Sequence, residues 1–252
     1  MATQILTRNE PRGGRIASAT VGSDTAAPLA AAGTRLTFRR GQTIFYEGDA
    51  ADTVYRVVSG AVRTSRLMPD GRRYVADFLF PGDFFGLSNG AMHTTTAEAL
   101  CDAIILRYPR RLFEGALEVD RQLGRTVLAA LCGGLSHAHE RMLLLGRKTA
   151  VERVASFLLM MAARAEDNQV NLLMSRGDIA DYLGLTIETV SRVLSQLKAQ
   201  GVIHLSDPTR IAITRPSTLR RIAEGGVWRA QRSRPGTARR RTGSWPFTAE
   251  HR

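Results

Sequence analysis

Four glycines, Gly48, Gly60, Gly71 and Gly82, punctuate the first half of the chain at steps of 12, 11 and 11 residues. Around them lie short apolar or alternating runs, LTF, TIFY, TVYRVVSG, AVRTSRL, RYVADFLF and AEALCDAIIL, from about residue 36 to residue 108. Turn signals at 8–12-residue spacing between β-branched and aromatic runs predict an antiparallel sandwich or barrel-like roll. Pro69-Asp70-Gly71 reads as one of its turns, because proline presets φ and glycine accepts a positive one. Beyond Pro109 the period changes. A helical stretch is expected over residues 111–145, with Leu128, Leu131, Leu135, Ala138, Met142 and Leu145 recurring at steps of 3, 4, 3, 4 and 3. Such an a/d seam predicts pairing with a similar helix. Nearly three heptads are few, so burial against the chain's own first domain is the alternative. A second helix is expected over residues 149–164, with Val151, Val154, Ala155, Leu158 and Leu159 on one side. Glu166-Asp167-Asn168-Gln169 then reads as a polar loop.

The strongest local signal is MSRGDIADYLGLTIETVSRVLSQLKAQGVI, residues 174–203. Ser175 followed by Asp178 is a helix N-cap pair. Ile179, Ala180 and Leu183 form the inner face of a short helix that ends at Gly184, suited to a left-handed turn. Thr186 caps the next helix, which carries Val190, Val193, Leu194 and Leu197 inside. A small Ala180, a Gly184 four residues on and an apolar Val190 let two helices cross tightly, which is helix-turn-helix spacing. The outer side of the second helix presents Glu188, Ser191, Arg192 and Ser195. Arginine can pair bidentately with guanine, glutamate can accept from cytosine N4, and serine can serve either base. A bland reading of Glu188 and Arg192 is an i,i+4 pair on a solvated face; the cap, the Ala-Gly-Val spacing and the basic chain weigh against it. After Gly201, VIHLSDPTRIAIT reads as two short strands around residues 206–209, a wing. Arg210 there and Arg176 near the first helix are expected on backbone phosphates, with Thr186, Thr189 and Ser195 as weaker backbone contacts.

The order β-roll, long pairing helix and winged helix-turn-helix resembles the Crp/Fnr superfamily of bacterial transcription regulators over about residues 35–224. Glu188-x-x-Ser191-Arg192 is similar to the recognition motif of its Fnr and FixK branches. The resemblance implies an α+β fold: an N-terminal antiparallel β-roll of the double-stranded, jelly-roll-like kind, a long dimerisation helix and a C-terminal winged helix-turn-helix. It implies a cytoplasmic homodimer that binds double-stranded DNA at a palindromic operator with TTGA-type half-sites. Glu188, Ser191 and Arg192 are then its base-reading positions, and RNA polymerase is its further partner. The expected divisions are an N-terminal arm at 1–33, the roll at 34–110, the dimerisation helix at 111–146, the DNA-binding domain at 147–224 and a disordered basic tail at 225–252.

Founding members of that superfamily sense cyclic AMP in the roll, and Pro81-Gly82-Asp83-Phe84-Phe85-Gly86 resembles the start of their phosphate-binding cassette. Leu87 stands where the cassette's glutamate is expected, and no Arg or Lys occurs from Tyr74 through Leu106. A buried phosphate without a cationic partner loses its strongest hydrogen bonds, so no effector and no cofactor are expected. Dependence on haem, a gas or a cyclic nucleotide is the alternative within the same family. An iron–sulfur cluster of the Fnr type lacks its N-terminal cysteines here, because Cys101 and Cys132 are the two in the chain. His93 is expected in a surface loop and Cys132 as a buried thiol beside the seam. His137 and His139, two residues apart on a helix, cannot converge on one metal.

Composition narrows the remaining classes. The 252 residues suit one large or two modest domains. No apolar run approaches the roughly 18–20 residues that span a bilayer, and the N-terminus lacks the apolar core of a secretory signal. Two cysteines point to a reduced, cytosolic protein. The net charge is +12, and residues 215–252 alone hold ten arginines against two acids. That excess suits polyanionic partners, so a basic nucleic-acid binder acting through the tail competes with sequence-specific readout. No nucleophile–base pairing, HExxH, P-loop or paired carboxylates occur, and an enzyme is not expected.

Overall fold

The computed structural model describes residues 33–165 and 167–226; the expected arm at 1–33 but for Gly33, and the expected tail at 225–252 from residue 227 on, lie outside these residues. Eight strands build the N-terminal part: β1 (Thr34–Phe38), β2 (Thr43–Phe45), β3 (Thr53–Ser59), β4 (Val62–Leu67), β5 (Arg73–Leu79), β6 (Phe84–Phe85), β7 (Thr96–Ala99) and β8 (Ala103–Pro109). They form two antiparallel four-stranded sheets, ordered β1-β8-β3-β6 and β2-β7-β4-β5. Phe45, Val57, Val62, Leu79, Ala97 and Ile105 fill the space between the sheets, as alternating inward residues of a sandwich do. The run read as a single AEALCDAIIL segment is two strands, β7 and β8, because residues 100–102 turn the chain from one sheet to the other. Gly60, at φ +85°, closes the β3–β4 turn against that corner. A Cβ on it would lie 2.6 Å from the Asp102 carbonyl oxygen, so the strands can meet so tightly there because no side chain intervenes.

The helical stretch expected over residues 111–145 is two helices, α1 (Arg110–Val119) and α2 (Arg121–Arg147). The break falls at Asp120, whose carboxylate accepts from the backbone N–H groups of Gln122 (2.9 Å) and Leu123 (3.0 Å). Two of the donors that a helix start leaves unpaired are thereby satisfied. The bend lets Phe113 of α1 and Leu123 and Val127 of α2 cover Val54 and Tyr108 of the roll. α2 is then free to run about 40 Å.

A third helix, α3 (Ala150–Ala162), starts from a capping box of Thr149 and Glu152. Beyond it the order is β9 (Gln169–Asn171), α4 (Arg176–Leu183), α5 (Ile187–Ala199), β10 (Ile203–Leu205), β11 (Arg210–Ile213) and α6 (Pro216–Ala223). The end of the expected polar loop is therefore a strand. β9 pairs with β11, Val170 opposite Ile211, in a sheet ordered β10-β11-β9, and the 2%-exposed Val170 repays the ordering of the segment. Arg153 of α3 fixes the step from α2 to α3: it donates to the carbonyls of Leu145 (2.9 Å) and Lys148 (3.0 Å), and also to Leu183 of α4 (2.9 Å). Among the described residues no helix is long and apolar enough to cross a membrane.

Candidate nucleic-acid interface

Local chemistry sets the angle between α4 and α5. The Ser175 hydroxyl accepts from the Asp178 N–H (3.1 Å), and the Asp178 carboxylate accepts from the Ser175 N–H (2.9 Å), closing a capping box. Gly184 ends α4 at φ +61°, in the left-handed region that favours glycine. Leu185 then turns back, its N–H donating to the Ala180 carbonyl (3.0 Å). Thr186 caps α5 by accepting from the Thr189 N–H (3.2 Å). Val190, Val193, Leu194 and Leu197 of α5 are all buried against Ile179, Ala180 and Leu183 of α4.

With that side of α5 buried, the opposite side is open. Glu188, Ser191, Arg192 and Ser195 are exposed together along it. Glu188's own backbone N–H and, after it, the Thr186 hydroxyl hold the Glu188 carboxyl below the usual carboxylate range, so it stands as an acceptor. Ser195 returns its hydroxyl to the Ser191 carbonyl (2.9 Å). Thr186 donates to Thr189 (3.1 Å) at the helix start. Arg176, half-buried, reaches across to the wing and donates to the Pro208 carbonyl (3.1 Å). It lines a cleft of about 220 Å³ with Ser191, Ser195 and Lys198. Arg210 is exposed on the wing beside Asp207 (3.7 Å), whose carboxylate also accepts from the Thr209 hydroxyl and backbone N–H. The structure thus gathers Arg176, Ser191 and Ser195 around one cleft, with Glu188 and Arg192 on the same helix and Arg210 on the adjoining wing. It also presents Ile187, 52% exposed at the first position of α5. Its spacing of three from Val190 and seven from Leu194 had the signature of the inner row, which is why the sequence hid it.

Along α2, the predicted seam positions Leu128, Leu131, Leu135, Ala138 and Met142 are exposed and Leu145 is half-buried. The roll of the same chain covers Leu123 and Val127 but not this row. Cys132, expected to be buried, is exposed on the single chain, and Cys101 is half-buried; the seam beside Cys132 has no cover from its own chain. His93 is not in a surface loop. It is 5% exposed and lies face to face on Phe45, ring centroids 3.7 Å apart. Burial pushes the imidazole below its ordinary range despite the nearby Asp49 and Asp52. The rings of Phe45, Tyr55 and Phe85 lie 5.2–6.1 Å from one another beside it, so rings occupy the inside of the roll next to the cassette-like turn. Among the described residues no cluster of three or more His, Cys, Asp or Glu could hold a metal ion.

Residues 35–151 match the cyclic nucleotide-binding domain family and residues 152–222 the Crp-like helix-turn-helix domain family. The chain is 44% identical over 200 residues to the nitrogen fixation regulation protein FixK of Azorhizobium caulinodans, covering 77% of this chain and 81% of that one. It is 37% identical over 186 residues to the transcriptional activator protein FnrL of Cereibacter sphaeroides, covering 70% and 75%. Among solved structures, FixK2 from Bradyrhizobium japonicum is similar at 46% identity and a TM-score of 0.72, over 75% of this chain and 96% of that one. Strand order, helix-turn-helix and relatives agree: the chain belongs to the Crp/Fnr superfamily of DNA-binding transcription regulators, in its FixK-like branch.

Proposed function

We propose that the protein binds a palindromic operator with TTGA-type half-sites as a symmetric homodimer, needs no small-molecule effector, and activates transcription with RNA polymerase in the cytoplasm. The observation that carries the reading is the exposed row Glu188, Ser191 and Arg192 on α5, flanked by a capped scaffold helix and a wing. Arg192 reads a guanine, Glu188 accepts from a cytosine amine, and Ser191 supplements them. Ile187, at the leading end of the helix, adds an apolar contact suited to a thymine methyl. Arg176, Thr186, Thr189, Ser195 and Arg210 surround that row and grip the backbone. The uncovered row on α2 supports pairing of two chains through Leu128, Leu131, Leu135, Ala138, Met142 and Leu145. Two-fold symmetry then asks for half-sites about 34 Å apart.

Effector independence is supported by the packed rings of Phe45, Tyr55, Phe85 and His93 and by the run from Tyr74 through Leu106, which holds no Arg or Lys. In this reading residues 34–110 are a sensor-like roll with a degenerate pocket, 111–146 the pairing segment and 147–224 the DNA-binding domain. Activation follows the FnrL relative, which is named an activator.

Competitive binding of Arg192→Ala against single-base operator variants tests the readout. The substitution should cost about 1–3 kcal/mol on the matched site and flatten preference at one base pair per half-site. Wild-type discrimination by Arg192→Ala would refute the assignment.

A further inference from the structure

Five charged side chains form one contact line between the roll and the helix-turn-helix. Glu98 of β7 accepts from Arg63 of β4 through both carboxylate oxygens, each at 2.9 Å. The other terminal nitrogen of Arg63 donates to Asp178 of α4. Arg73 of β5 donates to the same Asp178 oxygen (2.7 Å) and to Asp181 (2.8 Å). Signs alternate along the line, Glu98, Arg63, Asp178, Arg73, Asp181, and its centre is its most buried member, with the Asp178 side chain 4% exposed. Burial alone would raise the Asp178 carboxyl; the Ser175 hydroxyl and N–H and the two arginines outweigh it and hold it low. Beside this line, Arg141 of α2 inserts its guanidinium over Tyr74 (4.9 Å) and Tyr182 (4.1 Å) and donates to carbonyls of Val75, Ala76 and Tyr182. Pairing helix, roll and scaffold helix therefore meet at one joint.

Apolar contact also crosses this joint, since Phe78 of the roll packs on Phe157 and Tyr182. Such contact is non-directional and tolerates sliding. Charge-assisted hydrogen bonds fix direction, and displacing one partner would leave a buried charge unpaired. Hydrophobic residues of similar volume serve stability as well as buried ion pairs do, so what the ion pairs add here is orientation. The joint covers the back of α4 and leaves Glu188, Ser191 and Arg192 of α5 open. We propose that Arg63 and Arg73 are positioning residues: through Asp178 and Asp181 they lock the helix-turn-helix onto its own roll in one orientation, ready for DNA without a ligand-driven rearrangement. The consequence for half-site spacing rests on the dimeric-operator reading above; the locked orientation within one chain does not.

Two readouts separate those levels. In a Cys101→Ser, Cys132→Ser background, spin labels at Tyr46→Cys and His204→Cys report the distance from roll to wing in DNA-free protein. Labelled chains are diluted with unlabelled ones, so that each distance is within one chain. Native charges should give one narrow distance distribution, and Arg63→Gln with Arg73→Gln should broaden it. Arg73→Asp alone should broaden it too, and adding Asp181→Arg should narrow it part of the way back, because the new carboxylate at 73 still faces Asp178; this exchange carries the test if the double glutamine variant does not fold. On DNA, native protein should prefer correctly spaced half-sites over ones shifted by a base pair. The broadened variants should lose that preference by about tenfold while binding a single half-site unchanged. Distributions as narrow in Arg73→Asp as in the native protein would overturn the lock. Broadening in a protein whose native form ignores half-site spacing would uphold the lock and refute the dimeric-operator reading.

Discussion

Leu135→Arg is expected to yield a folded monomer whose affinity for a palindromic operator falls on the order of 10²–10⁴-fold. Leu135 is 59% exposed on the single chain, so its own roll and DNA-binding unit do not depend on it. In a paired α2 seam it would face its own copy. Two arginines buried there would repel, and each would lose solvation without gaining a partner. Separate protomers would then occupy the two half-sites independently, and the gain from linking the recognition helices would vanish. Sedimentation should show the monomer, and circular dichroism should show unchanged helix and strand content. A Leu135→Arg protein that sediments as a dimer would place the pairing surface elsewhere.

Leu197→Ala should have the largest effect on stability. Leu197 is 0% exposed, at the inner end of the row that joins α5 to α4, and its core is continuous with Ala61, Val75 and Phe78 of the roll. Truncating a buried leucine costs about 2–5 kcal/mol through lost transfer energy and the cavity left behind. Against a typical total of about 5–15 kcal/mol, the loss should lower the thermal midpoint of the whole chain visibly in calorimetry. Arg192→Ala, by contrast, changes an exposed residue five positions earlier on the opposite side of the helix and should leave the midpoint unchanged. If Leu197→Ala melts like the native protein, the α4–α5 packing is looser than the burial of Leu197 implies.

Legibility followed the range of the interactions. Ser175, Asp178, Gly184 and Thr186 act on backbone groups within a turn of themselves, so the helix-turn-helix and its exposed row could be read directly. The exposed apolar row on α2 was equally plain, because its period is local. Asp178 also shows the limit: its capping role is three residues wide, but Arg63 and Arg73 reach it from 115 and 105 residues away, and no local pattern announces that. The break at Asp120 leaves no mark in the pattern because the apolar rows continue across it, although its carboxylate is what starts α2. β9 is not legible in the sequence because three residues carry no period; its pairing with β11 makes it a strand. His93 sat among residues that read as a loop, and stacking on Phe45 gave it a place in the core that only the closed roll reveals. Ile187 failed in the opposite sense: its spacing is that of a core residue, but at the first position of α5 it stays 52% exposed, although its Cδ1 lies near Gly177 of α4.

We propose that a ligand-free pair of chains reads an inverted repeat through α5. Selection of binding sites from random double-stranded DNA by purified protein, with and without cyclic AMP and at stated salt, tests it most directly. Under this account both selections enrich the same inverted repeat of TTGA-type half-sites, with centres one helical turn apart. Enrichment that appears only with cyclic AMP, or the absence of any inverted repeat, would contradict it.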